Sequence, residues 1–148
     1  MGISMIGQPT VPVALSSSAP VDVVTTAAAV GTANAAARGD HTHKLIDTGW
    51  LTPTLINGWA VYDALFGNAA MYRKIGNMVF LRGLVKNGTA GSVIYTLPVG
   101  YRPTVRMLFI VDATGGYGRL DIDPNGSVIH NNGATGYFQT SCSFVADA

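Results

Sequence analysis

Glutamate does not occur anywhere in the 148 residues; all 8 acids are Asp. With 9 Lys and Arg they leave 11% of the chain charged, against about 25% in an ordinary soluble domain. Exposed helical faces are built largely from Glu and Lys, so this scarcity argues against a helical protein. A formal net charge of +1 leaves no basic footprint for a nucleic-acid partner. Cysteine occurs once, at Cys142, which excludes an internal disulfide framework and a thiolate zinc cage. No Lys or Arg opens the chain as a signal peptide requires, and Pro9, Pro12 and Pro20 break the apolar letters before they reach the length of about 20 that a membrane helix needs. Neither a signal peptide nor a membrane insertion is expected.

Aromatic residues are missing from the first 44 positions, where charge is confined to Asp22, Arg38, Asp40 and Lys44. A stretch made almost wholly of Ala, Val, Ser, Thr, Gly and Pro cannot enclose a core. Residues 1–44 are therefore expected to be an extended attachment arm and linker that lies on a partner, with Val11, Val13, Val23 and Val24 as its apolar contacts. Val21-Asp22-Val23-Val24 reads as a short strand. Asn34-Ala35-Ala36-Ala37-Arg38 reads as a helical turn ended by Gly39, too short to persist alone.

What is present from Leu45 on is the texture of an all-β head, residues 45–148. Met71-Tyr72-Arg73-Lys74-Ile75 and the run from Met78 to Val85 flank Gly76-Asn77, a two-residue hairpin signal. Asn87-Gly88 to Gly91 predicts a turn before Val93-Ile94-Tyr95-Thr96-Leu97. Pro98 and Pro103 bracket a loop, since neither donates to a ladder. Val105 to Val111 predicts a strand that Gly115-Gly116 breaks. Asp123-Pro124-Asn125-Gly126 predicts a turn, Asn131-Asn132-Gly133 another, and Tyr137 to Val145 a last strand. Some seven strands at intervals of about 8–12 residues fit an antiparallel, jelly-roll-like β-sandwich.

Candidate chemistry is sparse. His41 and His43 form an H-x-H pair that an extended backbone would place on one face, about 7 Å apart, and imidazole suits zinc, iron, nickel or copper. Two ligands per chain are too few, whereas three chains would supply six; in a lone chain the pair reads instead as a polar junction whose histidines hydrogen-bond, and no cofactor is required. Arg38-Gly39-Asp40 spells an adhesion tripeptide, but Gly39 is explained more simply as the end of the Ala-rich turn. Asp121-Ile122-Asp123-Pro124-Asn125-Gly126 opens like a calcium-binding EF-hand loop, yet Asn132 stands where that loop needs Glu. No nucleophile elbow, P-loop or dinucleotide fingerprint occurs. Asp112, Asp121 and Asp123 could lie near one another as a glycosidase pair requires, but Glu is absent and a turn explains two of them, so no enzyme is expected. Cys142 reads as a packed small hydrophobe. The loop residues Tyr101 and Arg102, with Tyr117, are the candidate ligand contacts.

Gly31-Thr32-Ala33-Asn34-Ala35-Ala36-Ala37-Arg38-Gly39-Asp40-His41-Thr42-His43 is similar to a linker that recurs in tail fibres of tailed bacteriophages. Tyr72-Arg73-Lys74-Ile75-Gly76-Asn77-Met78-Val79, Leu97-Pro98-Val99-Gly100-Tyr101-Arg102-Pro103 and Asp123-Pro124-Asn125-Gly126-Ser127-Val128 resemble the C-terminal β-sandwich of phage tail proteins. The resemblance implies a homotrimeric virion fibre or spike made in the host cytoplasm, with its arm docked on tail, baseplate or major capsid protein and its head touching a host surface glycan or protein. It also implies that His41 and His43 stack on the trimer axis around iron or another transition metal. A capsid decoration or head-fibre protein without a dedicated receptor is the alternative, and a depolymerase a third reading.

Overall fold

The computed structural model describes residues 45–63 and 69–146, within the second of the chain's two units, Leu45–Ala148. Val11, Val13, Val23, Val24, the predicted helical turn at residues 34–38, the Arg38-Gly39-Asp40 tripeptide and the His41 and His43 pair lie outside the described residues.

Eight strands make up the described part: β1 (Ala60–Val61), β2 (Met71–Ile75), β3 (Met78–Arg82), β4 (Leu84–Lys86), β5 (Val93–Thr96), β6 (Met107–Ile122), β7 (Ser127–Gln139) and β8 (Cys142–Val145). Every strand pairing is antiparallel, and no helix occurs among the described residues. The scarcity of helix-forming charged residues is thus matched by an all-β head.

The strands form two sheets. One is β2-β3-β8. In the other, β7 is the central strand: β6 pairs along one of its edges, while β5 pairs with its beginning and β4 with its end, and β1 extends β4. The chain changes sheet at two matched corners. Gly83 separates β3 from β4, and Thr140-Ser141 separate β7 from β8. The corners are bonded together, because Thr140 donates both its N–H (2.9 Å) and its hydroxyl (3.2 Å) to the Gly83 carbonyl.

The hairpin of β2 and β3 closes through Gly76-Asn77 as predicted, with Ile75 opposite Met78. Gly76 takes φ 58° while Asn77 does not take a positive φ, the first-position signature of a II′-type hairpin turn. Asp123-Pro124-Asn125-Gly126 likewise closes β6 onto β7. Gly126 donates to the Asp123 carbonyl at 2.8 Å, and the Asn125 side chain accepts from Ser127 N–H at 2.9 Å.

Three expectations fail, the third being the single last strand from Tyr137 to Val145, which is split between the end of β7 and β8 in different sheets. Gly115-Gly116 do not break a strand: β6 continues for 16 residues. Thr114 pairs with Ala134 and Arg119 with Asn132, so residues 115–118 stand opposite Gly133 alone. Positive φ at Gly115 and Gly116 lets the extra residues bulge outward while the ladder resumes beyond them. Asn131-Asn132-Gly133 do not turn either. β7 runs through them, and the interruption falls at Thr140-Ser141, where the chain must leave one sheet for the other.

The sheets close on a core to which β3 and β8 give Val79, Leu81 and Phe144, and the larger sheet gives Val85, Ile94, Tyr95, Val111, Leu120, Ile122, Val128 and Phe138. These positions alternate with more exposed residues, for example Met78, Phe80 and Arg82 around Val79 and Leu81, as a half-buried sheet requires. Residues 45–56 join the two sheets. Asp47 and Leu51 bridge to β2, and Ile56 N–H then donates to Ile94 of β5 at 2.9 Å.

Candidate functional site

Where that joining segment leaves β2 for β5, an open groove of about 430 Å³ lies on the head. It is lined by Thr52, Pro53, Thr54 and Ile56 of the segment, Tyr72 of β2, Thr96 of β5, and Leu97, Pro98 and Arg102. The proline-bounded loop is held by three contacts. Lys74 of β2 donates its ammonium to the Gly100 carbonyl at 2.6 Å. Tyr101 meets Tyr72 edge to face, with ring centroids 5.1 Å apart, a favoured aromatic geometry. Arg102 donates Nε to the Leu97 carbonyl at 2.8 Å.

The position of Arg102 depends on a glycine in another turn. Gly126 takes φ 92°, and a Cβ there would stand 2.4 Å from the Leu97 carbonyl and 2.7 Å from Arg102 Nε. Only hydrogen in place of a side chain leaves the guanidinium room against that turn. Burial, with Tyr101 next in order, pushes the Tyr72 phenol above its ordinary value, so it meets a ligand as a neutral hydroxyl.

Arginines hold the head's buried acid and its neighbours. Asp121 is fully buried, alternating to the opposite face from Leu120 and Ile122; it accepts from Arg119 (2.9 and 3.0 Å) and from Asn131 (3.0 Å). Arg106 spans Asp121 and Asp123. Asp47 pairs with Arg73. Asp112 stands apart, against the Tyr137 hydroxyl at 3.4 Å. The three Asp residues weighed for a glycosidase pair therefore belong to two different clusters, one of them knit together by guanidinium groups.

A second polar surface lies on the larger sheet. Tyr62 meets Tyr137 edge to face at 5.8 Å, and Lys86 places its ammonium 5.4 Å from the Tyr62 ring. On the smaller sheet Trp50 carries the Arg82 guanidinium at 4.3 Å and that of Arg73 at 5.9 Å.

The fold has a counterpart among phage receptor-binding proteins. Over 70% of this chain and 67% of the other, the molecule is similar to the crystal structure of the receptor binding protein (gp15) of Listeria phage PSA, with a TM-score of 0.56 and 16% sequence identity. At that identity the likeness to the Listeria phage protein is one of fold. No protein-family model matches the chain, and no curated protein matches it in sequence.

Of the sequence-predicted contacts, Arg102 lines the groove and Tyr101 packs on its Tyr72. Tyr117 is elsewhere, 83% exposed on the β6 bulge. Sequence reasoning missed Thr52, Thr54 and Thr96 altogether, because two segments far apart in sequence, residues 45–56 and β5, deliver them. Pro53 and Pro98 were the available signal, each marking a place where the chain leaves a ladder.

Proposed function

We propose that this chain is a virion fibre or spike protein of a tailed bacteriophage whose head contacts the host cell surface. The observation that carries this is the head's likeness in fold to a phage receptor-binding protein, reached independently of the fibre-like linker and loop motifs in the sequence. In this reading residues 1–44 dock on other virion proteins through Val11, Val13, Val23 and Val24. Tyr101, Arg102 and the groove beside them face the receptor.

A homotrimer belongs to the same proposal. The outer face of β2-β3-β8 sets Ile75, Met78 and Val145 side by side in register, with Phe80 in the next row, and Met78 and Val145 are 38% and 45% exposed. That apolar row, at one end of a face whose other rows carry Arg73, Ser143 and Arg82, favours association with further copies on so weakly charged a chain. His41 and His43 would meet on the trimer axis and supply six imidazoles to one metal.

Labelled chain added to host cells tests the receptor role. Saturable adsorption that competes with intact phage is expected; no adsorption to any susceptible strain would overturn it. Gold-labelled antibody on virions is expected at the tail, and label on the capsid would instead support the decoration protein.

A further inference from the structure

We infer that the groove beside Arg102 binds an anionic saccharide, a sugar unit carrying a phosphate or carboxylate group; this rests on the receptor-binding reading above and names the ligand chemistry of that site. The charge around the groove is one-sided. Arg102 lines it, and Lys74 stands behind the loop that carries Arg102, bonded to Gly100. No acid lines it, and among the described residues no carboxylate pairs with Arg102. Asp123, in the same turn as Gly126, is taken by Arg106, and Asp47 by Arg73. The Nε bond to Leu97 fixes the guanidinium while its two terminal nitrogens keep the planar fork that fits phosphate and carboxylate oxygens.

The rest of the lining fits the sugar that carries the anion. Thr52, Thr54, Thr96 and the Tyr72 phenol supply hydroxyls that both donate and accept, matching a polyol. Pro53, Pro98 and Ile56 supply apolar surface for the carbon faces of a ring. A volume of about 430 Å³ lies within the range of small-ligand sites. A bare anion would use Arg102 and leave the threonine rim without a role.

The test titrates full-length chain with glucose 6-phosphate, glucuronate, glucose and inorganic phosphate, following amide shifts and heat. Glucose 6-phosphate or glucuronate is expected to shift Thr52, Thr96 and Arg102, to bind about tenfold or more tightly than glucose, and to weaken with added salt. Arg102→Gln is expected to remove that preference, with Arg102→Lys restoring part of it. Thr54→Val, which leaves the loop contacts alone, is expected to weaken the sugar phosphate and not inorganic phosphate. Equal binding of glucose and the charged sugars, equal binding of inorganic phosphate and glucose 6-phosphate, or shifts confined to the Tyr62 and Tyr137 surface would each overturn the inference. Undiminished adsorption of folded Arg102→Gln to host cells would overturn it while leaving the receptor role intact; failure of the unaltered chain to adsorb would overturn the role itself.

Discussion

At the scale of single residues, the buried polar groups make the sharpest predictions. His130 is 1% exposed, its Nδ1 accepts from Gly91 N–H at 3.2 Å, and its ring packs on Phe138 (4.4 Å) and Trp59 (5.2 Å). Burial holds its pKa below the ordinary value, so the unfolded chain binds a proton that the folded one refuses. The stability this represents is complete above the unfolded pKa, about 6.5, and is lost as pH falls through that value toward the lower folded one. Melting temperature should therefore drop on acidification below about pH 6.5, and less steeply in His130→Gln; an unchanged slope would remove His130 as the cause. Burial likewise pushes the Cys142 thiol up to about 12. It should resist alkylation by iodoacetamide near neutral pH and react once the head is unfolded. Asp121→Ala should cost about 2 kcal/mol in denaturant melts, by removing the acceptor that Arg119 and Asn131 share.

At the scale of elements, the turns that residue chemistry dictates locally were legible beforehand. Gly76-Asn77, Asp123-Pro124-Asn125-Gly126 and the loop from Pro98 to Pro103 each owe their shape to residues inside them, and each stands where the sequence placed it. The misread points are those where a neighbour decides. Gly115-Gly116 have the freedom to turn, but β7 continues beside them and recaptures β6 at Arg119. Thr140-Ser141 carry no strong breaker, yet the chain leaves its sheet there because Gly83 offers Thr140 an acceptor across the corner. The groove was half legible for the same reason: Arg102 sits in a loop announced by prolines, whereas Thr52 and Thr96 meet it only through tertiary structure. The corner itself is testable. Gly83 takes φ 123°, and a Cβ would come within 2.6 Å of Ala69 and Ala70 backbone, so Gly83→Ala should lower stability by at least about 2 kcal/mol in urea melts, more than Gly91→Ala, where nothing lies within 4 Å.

At the scale of the whole molecule, low charge and the exposed apolar row of Ile75, Met78 and Val145 point in one direction. Sedimentation of the full-length chain should give three times the monomer mass, and Met78→Lys with Val145→Lys should shift it toward monomer without unfolding the head. A folded monomer in the unaltered protein would exclude the proposed trimer. Elemental analysis of that trimer should find a transition metal lost in His41→Ala with His43→Ala.

The matched corners also set an order of events during synthesis. β3 acquires its second neighbour only when β8 arrives, with Val79 opposite Phe144, so the smaller sheet cannot be completed until residue 145 has cleared the ribosome. Until then Val79 and Leu81 are paired on one side alone, by β2. Pairings between residues so far apart in sequence form slowly. A nascent head must therefore remain unfinished until β8 has been made, and a chain stopped before Cys142 should emerge as an open, sticky sheet rather than as a smaller working head.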